Sequence, residues 1–124
     1  MPEPDVPVLD ESVLTEVLET TGNDIGFVRE LIETYLADTP TLLEAMTAAA
    51  DADDADALVR PAHTLKSSSA TVGAMRLSAL ARELEMAGRS GGLDAASRAT
   101  LENAQTEWKA AADAFAAWLQ RASV

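Results

Sequence analysis

The apolar residues of this chain recur at intervals of three and four positions, and this spacing restricts the fold more than any other feature. Residues at that spacing collect on one face of an α-helix, whereas a half-buried strand needs apolar residues at every second position. No stretch alternates with a period of two, and strand-forming residues are sparse. The pattern therefore predicts an all-α protein.

The first half of the chain predicts two helices. Asp10 is a suitable N-cap for a short helix that closes at Gly22. The next apolar stripe runs from Ile25 to Met46. Pro40 interrupts this stripe, so we expect a kink there, or a break with a new helix beginning at the proline.

The second half predicts three more helices. The acidic residues 51–54 supply a turn and an N-cap for the third helix. Gly88, Gly91 and Gly92 are expected to end the fourth helix. Asp94 lies near the start of the last helix, whose two tryptophans we assign to core or interhelical packing. One side of the third helix is predicted to be buried: Leu58, Ala62, Leu65, Ser69 and Val72.

Short loops between these segments favour antiparallel neighbours. We therefore expect an up-and-down antiparallel four-helix bundle, with the additional short N-terminal helix covering one end. A chain of 124 residues suits one domain. We assign residues 9–122 to this helical bundle domain and the proline-rich residues 1–8 to a flexible N-terminal segment.

The side chains that the sequence lacks exclude several kinds of chemistry. Without cysteine the chain can form no disulfide, zinc ribbon or thiol nucleophile. A single histidine excludes two-histidine metal motifs, and the acidic residues 51–56 lack the glycine and closing glutamate of a calcium loop. The glycines at residues 88–92 follow a helix instead of a strand, which argues against a phosphate-binding loop. We expect no metal site and no ATP site.

The net charge of −12 argues against nucleic acid and anionic membranes as partners, because these polyanions would be repelled. No run of about 18 apolar residues is available to span a bilayer. The N-terminus carries Glu3 and Asp5, where a signal peptide would need positive charge. We expect a cytoplasmic protein that acts as a monomer.

The only histidine can be placed on its helix by geometry. An α-helix turns ~100° per residue, so with Leu58 at ~0° the buried stripe stays within ~40° of it. His63 then lies at ~140° and Ser67 at ~180°, on the side that faces solvent. A lone surface histidine can also be an ordinary polar residue, and that interpretation stays open from the geometry alone.

The neighbours of His63 favour a functional role. Lys66 and Ser67 lie one turn away, within reach at helical spacing. The residues from Ser67 to Ala70 are all small, so the helix presents a low surface beside the imidazole. Such a surface would let the reactive group of a partner protein reach the ring.

Positive charge is concentrated in the same part of the sequence. Residues 60–89 contain five bases and two acids, which gives a charge of +3, so the rest of the chain carries −15. A basic segment in an acidic chain suggests that an anion is handled there. The alternative is a solvated helix face that is balanced by its own ion pairs, for instance Arg82 with Glu85.

Residues 62–74 resemble the signature of bacterial histidine-containing phosphotransfer (HPt) domains. The matching features are His63, the lysine Lys66 three positions later, the small Ser67, and an aliphatic residue followed by glycine at Val72 and Gly73. The resemblance covers residues 25–89 in detail and the whole chain in the number of helices.

The resemblance implies a four-helix bundle in which His63 carries a phosphoryl group. The group would be received from, and passed to, aspartates of response-regulator receiver domains. By its position in the motif, Lys66 would be the cation beside the phosphate. This agrees with the chemistry, because a neutral imidazole is a nucleophile and phosphoryl transfer depends mainly on positioning and cations.

Four more residues complete the predicted phosphate- and partner-binding surface. Ser67 holds a position that glycine often takes in the family and is still small enough for close approach. Arg89 is where some relatives place a base near the site. Arg60 and Ala70 are included as a nearby cation and a small neighbour of the ring. Met86 could belong either to this interface or to the core.

The resemblance thus predicts a phosphocarrier rather than a kinase, with no cofactor of its own. The receiver partner would supply magnesium, and a hybrid sensor kinase is a further candidate partner. Two alternatives stay open. One is a non-catalytic helical-bundle module that binds a receiver or kinase without being phosphorylated, and the other is a detached piece of a larger sensor kinase.

Overall fold

The computed structural model describes residues 6–123, and within this range the secondary structure is entirely helical. The helices are α1 (Glu11–Thr20), α2 (Ile25–Asp51), α3 (Ala55–Val72), α4 (Met75–Ser90) and α5 (Ala95–Ala122). The four longer helices form a closed bundle in which α2 packs on α3, α3 on α4, α4 on α5 and α5 on α2. The short α1 lies against α2 and α3. The predicted all-α bundle with an additional N-terminal helix is therefore confirmed.

Aspartate side chains cap the N-termini of four of these helices. Asp10, Asp24, Asp54 and Asp94 each accept a hydrogen bond from a backbone N–H in the first turn, with N···O distances of 2.8 to 3.1 Å. These bonds satisfy N–H groups that have no partner within the helix. The caps predicted at Asp10 and in residues 51–54 are confirmed, and Asp94, which was placed near the start of the last helix, is its N-cap.

Helix α2 continues through Pro40, so the predicted alternative of a break at the proline is wrong. Proline removes one backbone hydrogen bond, which destabilises a helix interior. Here the proline side chain is exposed, while Tyr35 on one side and Leu43 on the other are buried in the same core. Packing of both halves onto that core outweighs the missing hydrogen bond.

Gly88 does not end α4, which corrects a second prediction. The helix continues to Ser90, and Gly91 forms the left-handed C-cap with φ of +80°. Gly88 is buried inside the last turn, where a Cβ atom would lie 2.8 Å from the carbonyl oxygen of Ala55 and 2.8 Å from Cγ2 of Val59. The absence of a side chain at Gly88 therefore allows α3 and α4 to approach closely.

Aromatic residues fill the core between α2 and α5. The ring of Tyr35 meets those of Phe115 and Trp108 edge to face, with centroid separations of 5.6 and 6.0 Å. Trp118 is buried as well, so the prediction of packing roles for both tryptophans is confirmed. The buried residues of α3 are those that the stripe predicted: Leu58, Ala62, Leu65, Ser69 and Val72.

The start of α1 is hydrogen-bonded to the turn between α3 and α4. The backbone N–H of Asp10 donates to the carbonyl oxygen of Gly73 at 2.8 Å, and Gly73 has φ of +86°.

Residues 1–5 of the predicted flexible segment lie outside the described residues. The flexibility of residues 1–8 stays a prediction, as does the boundary of the domain at 9–122. Across residues 6–123, none of the helices combines the length and apolar character that crossing a bilayer requires.

Candidate functional site

The side chain of His63 projects from the middle of α3 and is 55% exposed. The buried stripe of α3 faces the opposite way, so the solvent-facing direction predicted from helix geometry is confirmed. One edge of the ring is turned toward α4, where Nδ1 lies 3.0 Å from Oε2 of Glu85. The imidazole is therefore accessible to a partner and at the same time anchored to the bundle.

Glu85 is the centre of the site. Its side chain is only 7% exposed, although it carries a carboxylate. Nζ of Lys66 lies 2.7 Å from Oε1, while Arg89 donates from Nη2 and Nε to Oε2 at 2.7 and 3.0 Å. Together with His63, three side chains therefore contact one buried carboxylate.

These contacts keep Glu85 ionised. The hydrogen bond from Lys66, followed by that from Arg89, lowers the pKa of Glu85 to about 2 against the opposing effect of burial, and the bond with His63 adds to the lowering. The carboxylate is consequently an anion at neutral pH and can only accept hydrogen bonds. A buried charge of this kind is tolerated because it is paired.

Local helix geometry assembles this cluster. Glu85 and Arg89 are four residues apart on α4, and Lys66 follows His63 by one turn on α3, so each pair occupies one face of its helix. The close approach of the helices at Gly88 places the two faces against each other. The hydroxyl of Ser78 on α4 also donates to the carbonyl oxygen of Lys66 at 2.8 Å, which links the two helices again.

The chain is similar to a known protein family and to a solved structure. A family model described as the Hpt domain matches residues 30–118, which is most of the chain. The chain belongs to the Hpt family. The structure titled histidine-containing phosphotransfer protein B (HptB) from Pseudomonas aeruginosa PAO1 is similar, with a TM-score of 0.82 and 31% sequence identity over 94% of this chain and 98% of that chain. A search of curated proteins found no match.

The family and the fold together assign this Hpt domain to histidine phosphotransfer in a phosphorelay. Hpt proteins generally carry phosphoryl groups and are not kinases. In this Hpt domain, the histidine available for that function is His63, because the sequence contains no other.

The other predicted residues of the surface lie around His63 on α3. Ser67, Ala70 and Arg60 are all exposed, as the helical positions indicated, and their roles in binding phosphate or partner stay predictions. Met86 on α4 is 59% exposed and is therefore a surface residue and not a core residue. This Hpt domain thus exposes small and polar residues around His63 on α3, and an apolar side chain on α4.

Lys66 and Arg89, the predicted phosphate-binding cations, are both ion-paired with Glu85 in this Hpt domain. The suggested pairing of Arg82 with Glu85 is wrong, because Glu85 faces α3 and contacts the two cations that flank His63. Within the basic segment, Glu85 therefore pairs with the two cations of the site, and Arg76 pairs separately with Glu107 of α5.

Sequence reasoning named Glu85 as an acid of the basic segment, with Arg82 as its suggested partner, and missed its contact with the histidine. A signal was present, since Glu85 lies beside Leu84 on the apolar stripe of α4, where a charged residue needs a buried partner. Its partner on α4 could be read from the four-residue spacing to Arg89, but its partners on α3 depend on how the helices pack. Within residues 6–123, no group of three or more histidine, aspartate or glutamate side chains is arranged to hold a metal ion.

Proposed function

We propose that His63 accepts a phosphoryl group from the aspartyl phosphate of one receiver domain and passes it to the aspartate of another. The observation that carries this proposal is an exposed imidazole, anchored on one edge, with two cations held beside it. In the transfer a nitrogen–phosphorus bond forms at His63 while the oxygen–phosphorus bond at the receiver breaks. The reverse exchange, with a second receiver, regenerates the free imidazole.

Lys66 and Arg89 are suited to stabilise the transferred group. Both cations contact the same carboxylate as the ring, so their charged ends lie on the α4 side of His63. A phosphoryl group brings close to two negative charges at neutral pH. Each cation is on a long side chain that is partly solvent-exposed and has more N–H groups than Glu85 engages, so it can donate to phosphate oxygens while it stays in contact with that carboxylate.

The face around His63 suits a receiver because receiver active sites are acidic. Arg60 adds a positive charge there, while Ser67 and Ala70 are small and leave room for close approach. The charge of +3 in residues 60–89, against −15 elsewhere, orients an acidic partner toward this face. The net charge of −12 also disfavours binding to nucleic acid and to anionic membranes. The proposal includes a cytoplasmic location, a monomeric state and a hybrid sensor kinase as a further partner.

The chain would act as a phosphocarrier and not as a kinase. Phosphoryl transfer needs positioning and charge neutralisation, and Lys66 and Arg89 provide only part of that charge. We assign the magnesium ion, and the remaining catalytic groups, to the receiver. The chain would thus need no ATP site and no cofactor of its own.

Incubation with a phosphorylated receiver and magnesium tests this function. Wild-type protein should acquire an acid-labile, alkali-stable phosphate, and His63→Gln should acquire none, because glutamine offers no ring nitrogen. The exposed position of residue 63 should leave the fold of that variant intact. Equal labelling of the two proteins would contradict the proposal, and binding without labelling of either would support the non-catalytic interaction module.

The contribution of Lys66 can be measured in the same assay. Lys66→Ala should lower the transfer rate about tenfold, the size expected for one hydrogen bond to a charged group. Lys109→Ala is a matched control, since it removes the only other lysine, which is exposed on α5. The control should transfer phosphate at the wild-type rate.

A further inference from the structure

Three consecutive serines on α3 use their hydroxyl groups differently. The hydroxyl of Ser68 donates to a backbone carbonyl of α3 at 3.3 Å, and the hydroxyl of Ser69 shares a buried hydrogen bond of 2.7 Å with Tyr35. The side chain of Ser67 is exposed, and its hydroxyl has no hydrogen-bond partner within residues 6–123. Two of the three hydroxyls therefore belong to the structure of the bundle, and the third remains available as a donor.

The available hydroxyl lies on the face of α3 that carries His63. Ser67 follows His63 by four positions, and side chains at that spacing are neighbours on a helix surface, with Cβ atoms about 5–6 Å apart. Because the Cα–Cβ bonds of an α-helix tilt toward its N-terminus, the side chain of Ser67 leans toward the turn of His63. The imidazole is 55% exposed, so a phosphoryl group attached to it projects over this surface. Its oxygens are then within reach of the hydroxyl.

We propose that Ser67 donates a hydrogen bond to a phosphoryl oxygen when His63 is phosphorylated. The inference rests on the proposed function of His63 and adds a residue that contacts the transferred group. Glycine, which often takes this position in the family, has no side-chain donor. A relative with glycine there cannot form the contact.

The hydroxyl acts as a donor and not as a second acceptor of phosphate. During transfer the nitrogen–phosphorus bond forms at His63 while the oxygen–phosphorus bond of the receiver breaks, and that electron pair stays on the receiver's aspartate. The outer oxygens of phosphorus carry negative charge throughout, and a hydrogen bond to an ionised acceptor is stronger than one between neutral groups. Ser67 keeps its proton. A serine attacks phosphorus only beside a general base, and the carboxylate of this site, Glu85, is already bonded to two cations.

The hydroxyl complements the two cations of the site. On the helical count Lys66 is offset by ~60° from His63, on the side that faces α4, and Ser67 by ~40° on the other side. Arg89 extends from α4 itself. Hydrogen-bond donors thus flank the phosphoryl group on two sides. The contact with Ser67 forms only once the group is on the ring, so it favours the phosphorylated state of His63.

Substitutions at residue 67 separate the hydroxyl from the size of the side chain. Ser67→Ala removes the hydroxyl at an exposed position where alanine favours the helix, and Ser67→Gly introduces the residue common in the family. Ser67→Thr keeps the hydroxyl. Ser68→Ala is the matched control, because it removes the neighbouring hydroxyl, which is bonded to its own helix.

The ratio of forward and reverse transfer rates between His63 and one receiver gives the equilibrium constant of the exchange. Ser67→Ala and Ser67→Gly should both shift this constant about three- to tenfold toward the phosphorylated receiver, the size of one hydrogen bond of ordinary net strength. Ser67→Thr should lie closer to wild type than the alanine variant does. Ser68→Ala should equal wild type, and circular dichroism should show the same helix content in all variants.

Three results decide the outcome. If wild-type protein is phosphorylated on His63 while Ser67→Ala keeps the wild-type equilibrium constant, or Ser68→Ala shifts it equally, the role of Ser67 is refuted and the proposed function stands. An acid-stable phosphate on Ser67 would also refute its role as a donor. If wild-type protein acquires no phosphate from any phosphorylated receiver, the proposed function fails, and the contact with Ser67 fails with it.

Discussion

The α3–α4 contact and the α2–α5 contact of this bundle are made by different kinds of residue. Between α3 and α4, Gly88 allows close backbone approach, and the ionised Glu85 is buried beneath the exposed His63. Between α2 and α5, the contact is made by large aromatic rings, with Tyr35 packed edge to face on Phe115. The α3–α4 pair thus includes a buried charge beside its apolar residues, whereas the α2–α5 contact contains aromatic rings.

The candidate functional site therefore lies at the α3–α4 contact, whereas the aromatic α2–α5 contact contributes mainly to stability. Aromatic side chains bury large areas and contribute strongly to folding, so the α2–α5 pair can stabilise a bundle of modest size. A buried ion cluster adds little net stability, because desolvation offsets the attraction between its charges. At α3–α4 this cluster also contacts one edge of the exposed imidazole of His63. Substitutions in the two pairs should accordingly affect different properties.

The largest effect on stability is expected at Phe115, which is fully buried. Phe115→Ala should lower the free energy of unfolding by about 3–5 kcal/mol, measured by urea denaturation, because it removes buried surface and leaves a cavity. Phe27→Ala is the control, since Phe27 is 47% exposed on α2 and should cost less than about 1 kcal/mol. Equal losses in the two variants would contradict the assignment of stability to the aromatic core.

An intermediate effect is expected at Gly88. In Gly88→Ala the new Cβ would lie 2.8 Å from the backbone oxygen of Ala55, which cannot move without shifting α3. The strain should exceed the gain in helix propensity and leave a net loss of about 1–2 kcal/mol, accompanied by slower transfer at His63.

Gly92→Ala provides the comparison for Gly88, because a Cβ atom added at Gly92 would have no neighbouring atom within 4 Å and the φ of Gly92 is not positive. That variant should differ from wild type by less than about 0.5 kcal/mol and transfer phosphate normally. Wild-type stability and transfer in Gly88→Ala would show that the close helix approach is not required.

The smallest effect is expected at the hydroxyl of Tyr35, which shares a 2.7 Å hydrogen bond with Ser69 on α3. Tyr35→Phe should cost about 1 kcal/mol at neutral pH. Measurement of Ser69→Ala and of the double variant completes a double-mutant cycle. A double variant that loses the full sum of the two single losses would show that the bond contributes nothing.

The burial of Tyr35 also leads us to expect a loss of folding stability at alkaline pH. Burial raises the pKa of Tyr35 from 10.0 to about 12, because the ionised form would lose its hydration. The unfolded chain therefore releases this proton first, so the contribution is present below pH 10 and is lost as the pH rises toward 12. Tyr35→Phe should lack that decline. The phenolate absorbance of wild type reports the transition directly, because the chain has no other tyrosine.

Much of the site could be predicted because its determinants are local. The direction of His63 follows from the 3.6-residue period of its own helix, and the aspartate caps act within one turn of each helix start. The joint placement of Lys66 and Ser67 near the histidine follows from the same period. None of these features depends on which other helix lies beside α3.

Features that depend on the packing of one helix against another could not be predicted from helical periodicity. Gly91 does cap α4, but Gly88 was wrongly grouped with it, because a glycine that ends a helix and one that admits a neighbouring helix look alike in a sequence. The break at Pro40 was wrong because the contacts that hold both halves of α2 come from other helices. In both cases packing outweighed a local preference.

The helices, their caps and the exposed position of the single histidine can be derived from the sequence, since each depends on interactions within a few residues. The contacts of Glu85 on α4 with His63 and Lys66 of α3, 22 and 19 positions earlier in the chain, depend on the tertiary structure. Such contacts arise from the register and spacing of packed helices, which helical periodicity does not specify. The exposure of the histidine therefore follows from its own helix, and its contact with a buried carboxylate follows from the fold.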